Sequence, residues 1–248
     1  MFLREVQFQN WPQEADTYPF NLLAFQGLSV ISFRTAVTFF VGENGSGKST
    51  LLEAIAQGAG FNPEGGNRNH IFSTTNTESS LHHYIRLSWL PKVTNGFFLR
   101  AESFFNFSSY IDTIAEEDKS SNVYEAYGGK SLHHQSHGES FLSLFSHRFQ
   151  GRKRALYLLD EPEAALSPAR QLALLRILWD HEHSGRSQFI IATHSPILLG
   201  YPHATIFNFD QAPLAPIRYE DTDHFIVTKE FLTHRERILE ELFKENKD

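Results

Sequence analysis

The chain has 248 residues, 41% of them hydrophobic and 21% charged, with a formal net charge of −7. That length suits one large α/β domain or two small ones with a substantial core, and the negative balance argues against a surface that is basic throughout and so against avid nucleic-acid binding by the isolated chain. The lack of cysteine excludes disulfides, thiol catalysis and Cys-type zinc sites, while no apolar stretch approaches the ~20 residues of a membrane helix and Met1–Glu5 is no signal segment, so a cytoplasmic protein is the default expectation.

Along the chain, Val6 and Phe8 alternate with polar neighbours and predict a strand over 2–8. Trp11-Pro12 and Tyr18-Pro19 mark turns, and 28–41 reads as a second strand whose end, Ala36–Val41, is β-branched and aromatic. Directly after it comes Gly42-Glu43-Asn44-Gly45-Ser46-Gly47-Lys48-Ser49-Thr50, which fits G-x-x-x-x-G-K-[ST]. The glycines let the backbone curl until successive N–H groups face a polyphosphate. Lys48 adds a compact positive charge for the β- and γ-phosphates, and the Ser49 hydroxyl is placed to ligate Mg²⁺. Leu51, Leu52, Ile55 and Ala56 then recur at helical spacing, so the loop opens a helix whose N-terminus favours anions; that helix is predicted to end near Gly58. The stretch predicts binding of a nucleoside triphosphate.

The Gly-, Asn-, Ser- and Thr-rich run from Gly60 to Ser80 is long for a structureless connection. Strand-like patterns resume at 81–90 and 96–101. Phe104 to Glu117 and Ser140 to Phe149 read as helices, with a Gly- and His-containing loop at 127–138 between them. Arg148, Arg152, Lys153 and Arg154 form a basic patch that is either a solvated loop or a contact for nucleic acid or an acidic partner. Ala155–Leu159 is a continuous apolar run of the kind buried on both faces of a parallel sheet, and it ends in Asp160-Glu161-Pro162. A helix carrying Leu172, Leu175, Ile177 and Leu178 follows, then a second buried strand, Phe189–Ala192, closed by Thr193-His194-Ser195-Pro196. Asp221, Asp223 and His224 form a polar cluster with no role legible in the sequence. A last helix from about Thr228, with Phe231, Ile238, Leu239, Leu242 and Phe243 on one face, is predicted to pack on the core. Strands alternating with helices describe an open, mainly parallel sheet with ligands at the carboxyl ends of its strands.

An acidic pair ending a strand beside a phosphate loop has a direct chemical use. Asp160 would hold Mg²⁺ against Ser49, and Glu161 would orient and polarise the water that attacks the γ-phosphate. His194, at the end of the next strand, would hydrogen-bond the γ-phosphate or that water. The catalytic candidates are therefore Lys48, Glu161 and His194.

These motifs, in this order, resemble those of the ABC-type ATPases, the nucleotide-binding class shared by transporters, SMC proteins and DNA-repair ATPases. Gly42–Thr50 is similar to Walker A, Leu156–Glu161 to Walker B, Ala165-Leu166-Ser167-Pro168 to the D-loop and His194 to the switch histidine. Ser136-His137-Gly138-Glu139-Ser140 resembles the signature motif, with Asp160 24 positions after Ser136. The wording Asp-Glu-Pro-Glu-Ala-Ala-Leu-Ser-Pro and Ala-Thr-His-Ser-Pro-Ile-Leu resembles the small AAA-family ATPases related to repair and overcoming-lysogenization-defect enzymes more than transporter subunits.

What the resemblance implies is an α/β P-loop NTPase: a mainly parallel sheet with flanking helices, an antiparallel β subdomain and a small helical signature lobe at about 103–150, all in one domain over 1–248. It implies ATP and Mg²⁺ as cofactors and a head-to-tail homodimer in which Ser136, Gly138 and Glu139 cap the γ-phosphate held by the opposite protomer. Two of the class's positions depart from pattern here. No glutamine ends the strand at 96–101, where Glu102 is the nearest candidate metal ligand. Among the aromatics before the loop Tyr18 is the candidate to stack on adenine, with Phe20 and Phe33 behind it. His137 also replaces the usual small residue of the signature. The function implied is Mg-dependent ATP hydrolysis by the motor or switch subunit of a DNA-processing or defence system, with a nuclease, toxin or DNA as partner. The alternatives are the ATPase subunit of a membrane transporter and an ATP-binding switch with little turnover.

Overall fold

Alternation of buried side chains organises the main sheet. In the computed structural model, which describes residues 1–12, 16–63, 65–66, 79–101, 104–117, 142 and 153–244, six strands run in the order β5-β6-β7-β3-β8-β9. They are β3 (Val37–Val41), β5 (Gly96–Arg100), β6 (Ala155–Asp160), β7 (Ser187–Ala192), β8 (Thr205–Asn208) and β9 (Ala215–Ile217). All pair in parallel except β9, which is antiparallel to β8. Every residue of β3, β6 and β7 is buried, as expected of parallel strands covered on both faces. Val37, Phe39, Tyr157, Leu159, Phe189 and Ile191 face one layer, where Ile111 of α2 (Phe104–Glu117) and Leu174 and Leu178 of α3 (Pro168–His183) pack. Phe40, Leu156, Leu158, Ile190 and Ala192 face the other, against Leu51, Leu52 and Ile55 of α1 (Lys48–Ala59). Each such fully buried side chain contributes roughly 1.5–3 kcal/mol.

On the far side of α1 lies a three-stranded antiparallel sheet, β2-β1-β4, formed by β1 (Leu3–Phe8), β2 (Val30–Ser32) and β4 (Ile85–Trp89). Its Leu3 and Val6 share the second core layer with α1. The two sheets are tied by Gln188 in β7, which is fully buried. Its Oε1 accepts the N–H groups of Phe2 (2.7 Å) and Leu3 (2.9 Å), and its Nε2 donates to the Leu3 carbonyl (2.9 Å).

The mainly parallel sheet, the flanking helices and the antiparallel sheet match the fold expected of the sequence, with three departures. The single strand predicted over 28–41 is two strands in different sheets. The chain leaves the antiparallel sheet after Ser32 and enters the parallel one at Val37. At this crossing the Thr35 hydroxyl donates to the Val37 carbonyl (2.7 Å) and accepts the Thr205 N–H (3.2 Å). The crossing leaves little mark in the pattern, because Phe33 and Val37 on either side of Arg34-Thr35-Ala36 are both core residues. The strand predicted over 81–90 begins as a 3₁₀ turn, Ser80–Tyr84, capped by the Ser79 hydroxyl. Helix α1 ends near Gly58, as expected: its last residue is Ala59, and it stops at Gly60 in the left-handed region (φ 81°).

The third departure is at the C-terminal end. In place of one helix packed on the core there are two, α5 (Asp223–Thr233) and α6 (Arg235–Leu242), after the short α4 (Pro196–Leu199). The break falls at His234, whose backbone leaves the helical region (φ −127°, ψ 35°). Leu242 and Phe243 are exposed, and no residue of α5 or α6 is fully buried. Of the helical lobe, α2 and Leu142 are described. Of the basic patch, Lys153 and Arg154 are exposed and the Arg154 guanidinium stands over the Phe2 ring at 5.8 Å; Arg148 and Arg152 lie outside the described residues.

Close packing makes one glycine obligatory. A Cβ at Gly96 would meet the Leu156 carbonyl oxygen at 2.0 Å and the Phe61 ring at 2.6 Å, at a φ of +155°. Gly96→Ala therefore forces β5 away from β6, and thermal or urea unfolding should show a loss of about 3 kcal/mol or more. A variant as stable as the parent would contradict this packing.

Candidate functional site

Four neighbouring strands in the order β6-β7-β3-β8 run parallel, so their carboxyl ends open on the same edge of the sheet. β3 delivers the loop 42–47, β6 delivers Asp160 and Glu161, β7 delivers His194, and β8 delivers Asp210.

The loop has the backbone its glycines allow: Gly45 and Gly47 take φ of 80° and 105°. Gly47 is the N-cap of α1 and supplies no side-chain hydrogen bond, and the first turn of α1 carries no acidic residue. Its unpaired N–H groups are thus left for an anion, in contrast to α4 and α5, where the hydroxyls of Ser195 and Thr222 cap the same groups. Glu43, Asn44 and Gly45 at the loop tip are exposed. The buried Lys48 ammonium donates to the carbonyls of Gly42 (2.7 Å) and Glu43 (2.8 Å). Burial pushes its pKa down, against the pull of Glu161, Asp210, Asp160 and Glu43. The Ser46 hydroxyl is buried without a hydrogen-bond partner among the described residues.

Ser49 Oγ donates to Asp160 Oδ1 at 2.9 Å. The other carboxylate oxygen of Asp160 lies 3.7 Å from the Arg100 guanidinium, which also faces Glu53 at 3.5 Å. A hydroxyl and a carboxylate in contact, beside a loop of open N–H groups, form the hard-oxygen donor set suited to Mg²⁺ held together with a phosphate. Glu161 takes left-handed backbone (φ 50°) where the strand ends and stays 45% exposed in its side chain, 3.7 Å from His194 Nε2. That Nε2 is itself buried without a hydrogen-bond partner among the described residues. His194 Nδ1 pairs with Nε2 of His224 at 2.9 Å, and burial, then Lys48, pushes the pKa of both histidines down.

Sequence reasoning missed His224 and Asp210. Asp210 Oδ1 accepts the Glu43 N–H at 2.8 Å, and a Cβ on Gly42 would meet that oxygen at 2.9 Å. The signal was present in the short apolar pair Ile206-Phe207 ahead of an acid, the same grammar as at Asp160. His224 lies thirty residues beyond His194, at the start of a helix, where no local pattern links them. Tyr18 does reach the loop: its hydroxyl and that of Thr50 share a hydrogen bond of 2.6 Å, with the side chain 61% exposed. Phe20 and Phe33 are core residues. Glu102, Ser136, Gly138 and Glu139 lie outside the described residues.

Glu163 holds the site from behind. Its Oε1 accepts the His194 backbone N–H at 2.6 Å, and burial raises its pKa despite that bond. A carboxyl whose folded pKa exceeds its unfolded value weakens the fold as pH rises through the folded pKa and has no such cost below the unfolded one. Glu163→Gln removes the charge but keeps the acceptor. Its stability relative to the parent should therefore be more favourable at pH 7 than at pH 4 in paired thermal melts. A difference independent of pH would show that Glu163 is not strained by ionisation.

Over residues 37–88 and 95–200 the chain matches the family described as "AAA domain, putative AbiEii toxin, Type IV TA system", and over 3–57 the P-loop containing region of AAA domain. The first match spans more than half of the chain, and the protein belongs to that AAA-domain family. It has the fold of the ABC- and AAA-type P-loop ATPases. CbiO1 from Clostridium perfringens, part of the ABC transporter complex CbiONQ, is similar at 15% identity and a TM-score of 0.52, over 96% of this chain and 99% of its own. The SMC head domain from Thermotoga maritima is similar at 17% identity and a TM-score of 0.46, over 88% of this chain and 100% of its own. No curated protein matches the chain. Among the described residues no helix is long and apolar enough to cross a membrane.

Proposed function

We propose that the chain, as one ATPase domain over 1–248, binds ATP with Mg²⁺ and hydrolyses it in a head-to-tail dimer. The observation that carries this reading is the contact of Ser49 with Asp160 at 2.9 Å, beside an uncapped helix N-terminus that bears Lys48. Lys48 exchanges its two carbonyl partners for the β- and γ-phosphates, and the open N–H groups at the uncapped start of α1 face the chain of phosphates. Ser49 and Asp160 hold Mg²⁺, which when bound neutralises charge on the phosphates; Glu102 is the further candidate ligand. Glu161 accepts a hydrogen bond from the attacking water and draws its proton away, and His194 Nε2 donates to the γ-phosphate. Tyr18, exposed at the end of the loop, offers its ring to the adenine.

The dimer follows from the resemblance of Ser136, Gly138 and Glu139 to a signature motif that acts on the opposite protomer's nucleotide. The exposed loop tip and half-exposed Glu161 support it, since one protomer leaves this edge open. A two-fold pair completes both sites at once. For the biological role we favour a defence or DNA-processing system with a nuclease, toxin or DNA partner, which the toxin–antitoxin description of the family supports. In the Glu161→Gln background, sedimentation with Mg-ATP should give a compact dimer that ADP does not induce, and Ser136→Arg should prevent it. One mass and shape in all conditions, above the nucleotide affinity, would overturn the dimer.

A further inference from the structure

His194 and His224 meet through Nδ1 and Nε2 at 2.9 Å, and a contact of that length between two ring nitrogens holds one proton. That proton can sit on either side. If His194 Nδ1 carried it, a neutral His194 would turn a bare lone pair at Nε2 toward the Glu161 carboxylate 3.7 Å away, acceptor against acceptor. If His224 Nε2 carries it, His194 Nδ1 accepts, and the His194 proton must sit on Nε2, the buried atom that lacks a hydrogen-bond partner among the described residues. Electrostatics favours the second arrangement. The surroundings also favour neutral rings, because both histidines are partly buried near the Lys48 ammonium. His224 is fixed in place by its helix: it stands in the first turn of α5, one residue after Asp223 and two after the capping Thr222.

We propose that His224 is a positioning residue that donates its Nε2–H to His194 Nδ1, so that a neutral His194 presents Nε2–H to the γ-phosphate. This rests on the ATPase reading above and deepens it. An α5 helix that docks over the end of β7 thereby sets the tautomer of a histidine on another element, without requiring the histidine to be charged. It also links the placement of α5 to the readiness of the site.

Long-range ¹H–¹⁵N spectra of the ring nitrogens test it directly, with the His194 signals assigned by their loss in His194→Gln. The parent should show His194 Nδ1 unprotonated and Nε2 protonated. His224→Gln keeps an N–H at the same reach and should leave this pattern unchanged. His224→Glu offers only acceptors and should bring a proton onto Nδ1. A proton on Nδ1 in the parent, or one pattern in all three proteins, would overturn the proposal. In steady-state turnover His224→Leu should lower kcat roughly tenfold, the scale of one hydrogen bond, at unchanged KM for ATP, and His224→Gln should restore it. If the parent turns over no ATP the ATPase reading fails, while the ring spectra still decide the histidine pair.

Discussion

Replacing Glu161 by glutamine should slow ATP turnover by roughly 10²–10⁴-fold, the scale of losing a positioned base, and leave ATP binding intact. Glutamine keeps the size of the side chain and one hydrogen-bonding oxygen but loses the charge that draws a proton from water. The geometry assigns this effect to Glu161 rather than to its neighbours. Its side chain is nearly half exposed and faces His194 at 3.7 Å. Asp160 is committed to Ser49 and Arg100, and Glu163 is turned inward onto the His194 backbone. Because Glu161 stands at the end of β6 and is not itself one of the groups that hold the phosphates in the scheme above, Mg-ATP should still bind tightly in calorimetry. Normal turnover in the variant would remove Glu161 from the chemistry and make Glu163 the next residue to test.

Lys48→Ala should abolish tight nucleotide binding. The ammonium already reaches two loop carbonyls, at 2.7 and 2.8 Å, so it is held at the mouth of the loop and needs only to exchange partners. Hydrogen bonds to charged groups are worth about 1.5–3 kcal/mol each. Losing two to phosphate oxygens weakens binding on the order of a hundredfold or more. The loop itself loses the same two internal bonds, so a melting curve of the variant must accompany calorimetry. A folded variant with parental affinity for ATP would refute the site.

How far the sequence carried this picture depends on the range of each interaction. The phosphate loop is local: its glycines, Lys48 and the following helix are adjacent in the chain, and the structure has them in the expected strand–loop–helix setting. Strands β6 and β7 are legible because burial on both faces leaves an unbroken apolar run. Asp160, Glu161 and His194 could then be placed together by the rule that ligands lie at the carboxyl ends of parallel strands. Elements whose boundary is set by a distant partner were misread. The crossing between β2 and β3 is invisible because Phe33 and Val37 are both core residues, in sheets that only the fold separates. The apolar residues of α5 and α6 keep helical spacing yet none is buried, and Ile226, Val227, Phe231, Leu232 and Leu242 are exposed, so periodicity overstates their burial. His224 escapes for the same reason, since it acts on a residue thirty positions away, whereas Asp210 has a local signal, but a short one.

Single-turnover release of labelled γ-phosphate tests the account most directly. The parent protein, in excess over ATP and with Mg²⁺, should release phosphate; the same reaction without a divalent cation should not. Glu161→Gln should bind the nucleotide and retain it uncleaved, and Lys48→Ala should neither bind nor cleave it. A parent that holds Mg-ATP without releasing phosphate, or a Glu161→Gln protein that releases it at the parental rate, would contradict hydrolysis at this site.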